Sequence, residues 1–190
     1  MSRWSQEVRR RREGIVFLVL FALTIPAANW LIGHVGTVCV PNGACLVPVA
    51  PGVMAPSGVM MAAAALVLRD LVQRRLGLAA SSLAILCGAA LSALLAPPAL
   101  VIASAAAFLF SEFADLSVYT PLVRRGLVAA VVASSVVGLV VDSVVFLWLA
   151  FGSLQFLPGQ IIGKLWMVLL SIPFVAWLRR RDERAGITLA

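Results

Sequence analysis

Six long apolar runs follow one another along the chain, and all but the first two are separated by short segments that contain charged residues, Pro or Gly. A helix needs roughly 20 residues, at about 1.5 Å of rise each, to cross the ~30 Å hydrocarbon core of a membrane, and each run has about that length. The sequence therefore predicts an all-α fold, a polytopic bundle of six transmembrane helices, at about residues 14–33, 57–76, 79–96, 98–119, 127–151 and 158–178.

The composition excludes several other classes of protein. Of the 190 residues, 62% are hydrophobic and 12% are charged, whereas a soluble domain is about half apolar and about a quarter charged. A globule of this size has no interior large enough to hide the surplus apolar surface. An ordinary soluble enzyme, a disordered tail and a disulfide scaffold are therefore excluded.

The first apolar run also has features of a signal peptide, because it follows a basic stretch. Its apolar part, Ile15 to Ile25, is within signal length. The run continues to Leu31, however, and no A-x-A cleavage site follows it. We therefore expect a retained helix.

The basic residues predict the orientation of the bundle. With a cytoplasmic N-terminus, the inner segments, which include the inner ends of the helices, contain every Lys and Arg except Lys164, and the outer loops contain none. These inner segments are 1–13, 69–78, 120–126 and 179–190. By the positive-inside rule, both termini are predicted to be cytoplasmic and the chain to lie in the cell membrane. The predicted organisation is a basic cytoplasmic N-terminus at 1–13, a transmembrane domain at 14–178 and a basic cytoplasmic C-terminus at 179–190. The net charge of +7 then reflects topology, and no nucleic-acid partner is expected.

The longest outer loop, His34 to Pro56, is rich in Pro, Gly and Val. We expect it either to pack on the bundle or to dip into the membrane. Cys39 and Cys45 in this loop are expected either to form a disulfide or to remain free thiols, and the sequence does not decide between the two. The single His, His34, is expected at the surface, and the absence of a Cys or His cluster predicts no metal and no other cofactor.

Several ionisable residues fall inside the predicted spans, where a charge is costly and needs a partner or a function. Counting the rise per residue places Asn29, Asp142 and Lys164 at one depth, in the outer half of the membrane. We expect Asp142 to pair with Lys164, because a paired charge costs less than a bare one.

A second charged layer is expected nearer the cytoplasm. It comprises Arg69, Asp70, Glu112 and Asp115, with Arg69 expected to pair with Glu112. Two interpretations stay open for both pairs, since they can line a cavity or simply hold helices together. Arg69 and Asp70 can also reach the cytoplasmic interface by snorkelling.

Polar and small residues recur at helical spacing. Gln160 and Lys164 share one face of the sixth predicted helix, and such polar stripes on charged helices favour a shared interior cavity. Gly159 and Gly163, in contrast, form a small-xxx-small pair, which favours tight helix packing.

Catalytic motifs are missing from the sequence. It contains no GxxxxGK[ST] phosphate loop, no HExxH and no GxSxG, and its one His is not spaced for a triad. An enzyme is therefore not expected. A gated cation channel is not expected either, since the sequence has no Arg ladder and no filter motif.

Four segments of the chain carry a family resemblance when they are taken in order. They are GVMMAAAALVLRDLVQRRLG (58–77), ASAAAFLFSEFADLSVYTPLVRR (103–125), SSVVGLVVDSVVFLWLAFG (134–152) and GQIIGKLWMVLLSIP (159–173). Each is weak alone, but the ordered set, with RD, SE-x-x-D, DS-x-x-F and GQ-x-x-GK, resembles the vitamin-uptake-transporter family. The best understood members of that family are queuosine precursor transporters.

The resemblance implies a six-helix importer of 7-deazaguanines such as 7-cyano-7-deazaguanine. It also implies a fold similar to the substrate-binding subunits of energy-coupling-factor transporters. Departures from the family pattern at Gln73, Arg74 and Glu112 bear on the identity of the substrate. The family positions carry over onto Asp70, Glu112, Asp115, Asp142, Gln160 and Lys164.

Charges and resemblance together predict a membrane importer that holds its substrate with intramembrane carboxylates. A carboxylate can accept two adjacent N–H donors of a deazaguanine, and a Gln or Lys can donate to the neighbouring carbonyl. Phe108, Phe146 and Trp166 either belong to the core or stack on the planar ligand. Glu112 or Asp115 is a candidate for coupling transport to protons. The predicted substrate-binding residues are Asn29, Arg69, Asp70, Glu112, Asp115, Asp142, Gln160 and Lys164.

Two alternatives stay open beside the importer. One is a substrate-binding subunit of an energy-coupling-factor vitamin transporter, and the other is a non-transport membrane scaffold. Pro26, which is expected to interrupt the first helix, favours the importer over the subunit. The predicted partners are a small-molecule substrate and membrane lipid, with a homo-oligomer or an energy-coupling module left open.

Overall fold

The computed structural model describes residues 3–39 and 44–186. A single 3-10 turn at Pro98–Leu100 precedes the fourth helix. The helical prediction is confirmed, and the four middle helices end within a few residues of their predicted bounds. The six helices are α1 at Arg3–His34, α2 at Val59–Leu76, α3 at Leu78–Leu95, α4 at Val101–Leu122, α5 at Leu127–Phe151 and α6 at Leu157–Arg184.

Both terminal helices are longer than predicted. α1 begins at Arg3, so the basic segment before residue 14 is continuous with the apolar part, and arginine is a good helix former. α6 continues to Arg184 and ends before Gly186, whose φ of 63° is the left-handed conformation that commonly ends helices. The expected interruption at Pro26 is wrong, because α1 continues through this residue.

A small sheet that was not predicted accompanies the helices. The loop after α1 forms β1 at Val38–Cys39, β2 at Cys45–Ala50 and β3 at Val53–Pro56, an antiparallel sheet in the order β1-β2-β3. β-Branched Val favours strands, and Gly52 takes a positive φ of 71° in the turn between β2 and β3. Cys39 and Cys45 are partners in the register of β1 and β2, and they form a disulfide.

The sheet packs on the bundle, which was one of the two arrangements expected for this loop. The Ser57 hydroxyl donates a hydrogen bond to the Leu31 carbonyl at 2.7 Å. The indole N–H of Trp166 in α6 donates to the Val49 carbonyl in β2 at 3.2 Å. We call this end of the bundle the sheet end.

At the opposite end, which we call the basic end, the start of α1 meets the ends of α2 and α6. Arg10 donates to the carbonyl of Arg75 at 2.8 Å, and Gln6 donates to the carbonyl of Ala185 at 3.1 Å. These contacts fix the direction of three helices relative to one another.

Among the described residues, five helices are long and apolar enough to cross a membrane: α1, α3, α4 with its preceding 3-10 turn, α5 and α6. α2 is not one of them, because its 18 residues include Arg69, Asp70, Arg74 and Arg75. The protein is therefore a multi-pass membrane protein. The sixth span and the side on which the termini lie remain predictions.

Large apolar side chains cover the outside of the bundle, and charged side chains lie inside it. Leu94 is 82% exposed and Ile102 is 76% exposed, whereas Arg69 and Asp70 are completely buried. Exposed apolar side chains are unfavourable in water but favourable against the hydrocarbon chains of a lipid bilayer, where charged side chains are instead kept inside the bundle. α2 lies within the bundle, where its Leu71 packs with Phe21 of α1.

Gly159 allows α6 to approach the sheet closely. A Cβ at this position would collide with the carbonyl oxygen of Met54 in β3. At Gly163, one turn further on, a Cβ would lie 2.9 Å from a Val59 methyl group. The tight-packing interpretation of this small-xxx-small pair is confirmed.

Gly159→Ala is expected to lower the stability of the protein by about 1–3 kcal/mol, because the added methyl group must displace the backbone of β3. Gly33→Ala is the matched control, since a Cβ at Gly33 meets no atom within 4 Å. Thermal melting of the purified variants in detergent measures the difference. Equal melting temperatures for Gly159→Ala and the wild type would contradict the packing described here.

Candidate functional site

A cavity lies in the half of the bundle nearer the sheet end. Its volume is about 90 Å³, counted as the space open to the centres of water molecules. A single water needs about 10–15 Å³ on this measure, so the cavity has room for a small organic molecule. All six helices and β3 contribute to its wall, which consists of Thr24, Ile25, Ala28, Asn29, Ile32, Pro56, Gly58, Val59, Met61, Ala62, Ala65, Ser92, Ser104, Ala107, Phe108, Asp142, Phe146 and Gln160.

Three residues of the predicted substrate site line this cavity: Asn29, Asp142 and Gln160. They come from α1, α5 and α6, and they lie among mostly apolar neighbours. The Asn29 side-chain amide donates to the Ile25 carbonyl at 2.9 Å, one turn earlier in α1. A few polar groups in an apolar wall are typical of sites that orient a small ligand.

Asp142 is the one ionisable residue in the wall of the cavity, and it is paired as predicted. The ammonium group of Lys164 donates to Asp142 Oδ2 at 2.5 Å and to the Ser143 hydroxyl at 2.8 Å. The Lys164 side chain is 1% exposed, whereas that of Asp142 is 17% exposed. An occupant of the cavity therefore meets the carboxylate and not the ammonium group.

Two of the three candidate stacking residues line the cavity. Phe108 and Phe146 are in its wall, and the Phe108 ring also packs on Phe21, with 5.9 Å between ring centroids. Trp166 is half-exposed on the outside of the bundle, where it bonds the sheet. The core interpretation of Trp166 is wrong, because the side chain is half-exposed, and Trp166 is not in the cavity wall where a stacked ligand would lie.

The other four predicted residues form a separate group, which we call the Arg69 cluster: Arg69, Asp70, Glu112 and Asp115. The Arg69 guanidinium lies 2.9 Å from Asp70 Oδ1 and 3.3 Å from Glu112 Oε2, and it also bonds Asp115. The predicted pair of Arg69 with Glu112 is thus present, within a larger network. All four side chains are at most 1% exposed, so the snorkelling of Arg69 and Asp70 to the interface is wrong.

Neutral groups complete the surroundings of the Arg69 cluster. The Ser134 hydroxyl in α5 donates to Asp70 Oδ2 at 2.8 Å. Arg69 donates to the side-chain carbonyl of Gln73 at 3.0 Å, and its guanidinium lies 5.6 Å from the centre of the Tyr119 ring. None of the four charged residues of the cluster lines the cavity. The predicted site is therefore divided into a cavity and a sealed charge cluster.

A third polar network at the basic end was missed in the sequence. Asp182 of α6 accepts from Arg74 at 2.7 Å and from Arg75 at 2.9 Å, both in α2. Glu13 of α1 pairs with Arg75 at 3.0 Å and with Arg181 at 2.7 Å. The available signal was an acidic residue in the middle of an arginine-rich tail, but the arginines were interpreted only as determinants of topology.

The residues described here contain no group of three or more His, Cys, Asp or Glu side chains arranged to hold a metal ion. In the Arg69 cluster, the guanidinium occupies the position that a cation would take between the carboxylates.

The part of the chain from the end of α3 to α6, residues 92–178, matches the family described as "Putative vitamin uptake transporter". This match confirms the resemblance to that family over residues 92–178, which is less than half of the chain. It contains Glu112, Asp115, Asp142, Gln160 and Lys164, but it does not extend to the segment 58–77. No curated protein and no solved structure gives a significant match to the chain.

Arg69→Met is expected to destabilise the protein strongly, by about 3–5 kcal/mol, because it leaves three buried carboxyl groups without their positive partner. Arg179→Met is the matched control, since Arg179 forms an exposed pair with Glu183 one turn away in α6. Thermal melting in detergent compares the two variants. If both melted alike, the Arg69 cluster would contribute nothing beyond a surface ion pair.

Proposed function

We propose that this protein imports a small, flat, polar solute across the cell membrane, and that its substrate is a 7-deazaguanine precursor of queuosine such as 7-cyano-7-deazaguanine. The single observation that carries the proposal is the Asp142 carboxylate in the wall of a mostly apolar cavity inside the helix bundle. The family match over residues 92–178 supports a transporter and not an enzyme.

The chemistry of the cavity suits this base. A deazaguanine presents adjacent N–H donors beside a carbonyl acceptor. A carboxylate accepts two such donors side by side, and bonds to a charged acceptor are the stronger kind. We assign Asp142 to the donor edge of the base and the Gln160 amide to its carbonyl, with Asn29 as a further polar contact. The rings of Phe108 and Phe146 provide apolar faces for the planar ring system.

Lys164 acts through Asp142 in this proposal. Its ammonium group is held by both Asp142 and Ser143, so it fixes the carboxylate and balances its charge. A balanced pair next to the cavity favours a neutral solute, because an ion would add an uncompensated charge in a low-dielectric site. The base 7-cyano-7-deazaguanine carries no net charge near neutral pH.

The predicted topology gives the direction of transport. With both termini cytoplasmic, the sheet end faces the outside and the cavity lies in the outer half of the membrane. The solute then enters at the sheet end and leaves past the Arg69 cluster and the basic end. This route requires a second conformation in which those two networks separate.

Two alternatives are separated by one experiment. A substrate-binding subunit would bind the base but would not transport it without a separate energy-coupling module, and a scaffold would do neither. Purified chain reconstituted alone in liposomes is expected to take up labelled 7-cyano-7-deazaguanine. Binding without uptake would favour the subunit, and the absence of both would reject the proposed substrate.

Asp142→Asn is expected to weaken binding of 7-cyano-7-deazaguanine roughly ten- to a hundredfold, because the amide replaces one acceptor oxygen by a donor and removes the charge. Glu183→Gln is the matched control, since Glu183 is an exposed carboxylate at the basic end. Binding to the purified variants, measured by calorimetry, gives both values. Wild-type affinity in Asp142→Asn would remove Asp142 from the site.

Gly88→Ala tests the cavity from the side of α3. A Cβ at Gly88 would lie 2.7 Å from the tip of the Phe108 ring, so the ring must move. We expect a lower affinity for the base with little change in the Asp142–Lys164 pair. If the cavity is narrowed, the loss of affinity should be smaller for a ligand with a smaller ring system than for 7-cyano-7-deazaguanine. If the affinity for both ligands is unchanged, Phe108 does not shape the site.

A further inference from the structure

The Arg69 cluster has an unbalanced formal charge. It contains one guanidinium and three carboxyl groups, from α2 and α4, and all are sealed from solvent. If every group were ionised, the cluster would carry two uncompensated negative charges in the interior of a membrane protein. Buried charge of this kind is very costly, and carboxyl groups that share a site lower the cost by keeping a proton among them.

No other cation among the described residues compensates this charge. On α2, Arg74 forms a salt bridge with Asp182, and the Gln73 side chain is neutral. On α6, Lys164 is directed to Asp142 and Ser143. Of the other groups that face the cluster, Tyr119 of α4 and Ser134 of α5 are neutral. α3 contains no charged residue, and the Glu13 carboxylate of α1 pairs with Arg75 and Arg181 at the basic end.

Two carboxylate oxygens of the cluster accept no hydrogen bond, but one of them, Asp70 Oδ1, lies 2.9 Å from the Arg69 guanidinium. Asp115 Oδ2 is buried and accepts no hydrogen bond, although Asp115 Oδ1 is bonded to Arg69. Gly138 of α5 lies directly against this side, where a Cβ would be 3.2 Å from Oδ2. A bare buried oxygen beside other carboxyl groups is a place where a proton can be held.

The cavity and the cluster are connected through two helices. On α4, Phe108 of the cavity wall and Glu112 of the cluster are one turn apart on the same face. On α5, Asp142 of the wall and Gly138, which contacts Asp115, are also one turn apart. A solute that moves Phe108 or Asp142 therefore moves the turns that carry the cluster, because packed helices shift as units.

We propose that the Arg69 cluster is the proton-binding site of the transporter, which takes up one proton on a carboxyl oxygen of Glu112 or Asp115 and releases it on the other side of the membrane as the solute is imported. The O–H bond formed on uptake is the bond broken on release. Arg69 compensates one carboxylate in both states, so the bound proton lowers the uncompensated charge of the cluster from two to one. This inference rests on the proposed function, since it names the ion that accompanies the solute.

The transport experiment uses liposomes that contain the purified full chain and a pH-sensitive dye. Addition of 7-cyano-7-deazaguanine outside is expected to acidify the interior, and an inward gradient of one pH unit is expected to raise accumulation of the solute up to about tenfold. Asp115→Asn and Glu112→Gln are expected to lose the acidification and the response to the gradient. Glu183→Gln, which changes an exposed carboxylate, is expected to keep both.

A spectroscopic measurement tests the cluster without any solute. Infrared spectra of the purified wild-type protein in detergent at neutral pH are expected to show the C=O stretch of a protonated carboxyl group. The band is expected to disappear or shift in Asp115→Asn or Glu112→Gln and to persist in Glu183→Gln. A wild-type spectrum without such a band would overturn the inference, whether or not the variants fold.

The outcomes separate this inference from the proposed function. Uptake of the base without proton movement, or uptake driven by a sodium gradient alone, would overturn the proton site and leave the proposed function intact. Absence of binding and uptake would reject the substrate, and the infrared band then decides the proton site by itself. Proton movement that survives in both cluster variants would also overturn the assignment to Glu112 and Asp115.

Discussion

The contact of one buried guanidinium with three carboxyl groups determines how the centre of this bundle is assembled. Arg69 joins α2 to α4, and Ser134 of α5 adds a bond to the neighbouring Asp70. Since no solvent can replace these bonds inside a membrane protein, sliding any of the three helices by one turn would leave bare charges. The register that satisfies Arg69 also places both Phe108 and Asp142 in the cavity wall.

The cavity exists because small side chains occupy the positions where helices would otherwise fill the interior. Ala62 and Ala65 of α2 and Ala107 of α4 line it, and Gly88 of α3 gives room to the Phe108 ring. Elsewhere the same kind of residue has the opposite effect, as at Gly159, where the sheet backbone comes into direct contact with α6. Small residues in this chain therefore leave space for the cavity at some positions and allow close backbone contact at others, depending on which element faces them.

The helices and both ion pairs could be predicted from the sequence, because the length of an apolar run and the cost of a buried charge are local properties. The division of the charged residues between a cavity and a sealed cluster could not be predicted from the sequence. The rise per residue gives the depth of a residue in the membrane but not the direction in which its side chain points. The strands around Cys45 were not predicted although they pair locally, because Pro48 lies inside β2 and Pro is uncommon within strands. Asp182 was missed because its partners, Arg74 and Arg75, are more than 100 residues away along the chain.

The charges of α2 have a consequence for how the protein reaches its membrane. Each Arg or Asp near the centre of a nascent segment opposes insertion by about 2.5–3.5 kcal/mol, so α2 is a poor insertion signal by itself. Its partners Glu112 and Asp115 are synthesised dozens of residues later. If α2 spans the membrane as predicted from the sequence, its insertion therefore depends on the later arrival of α4, which provides these partners.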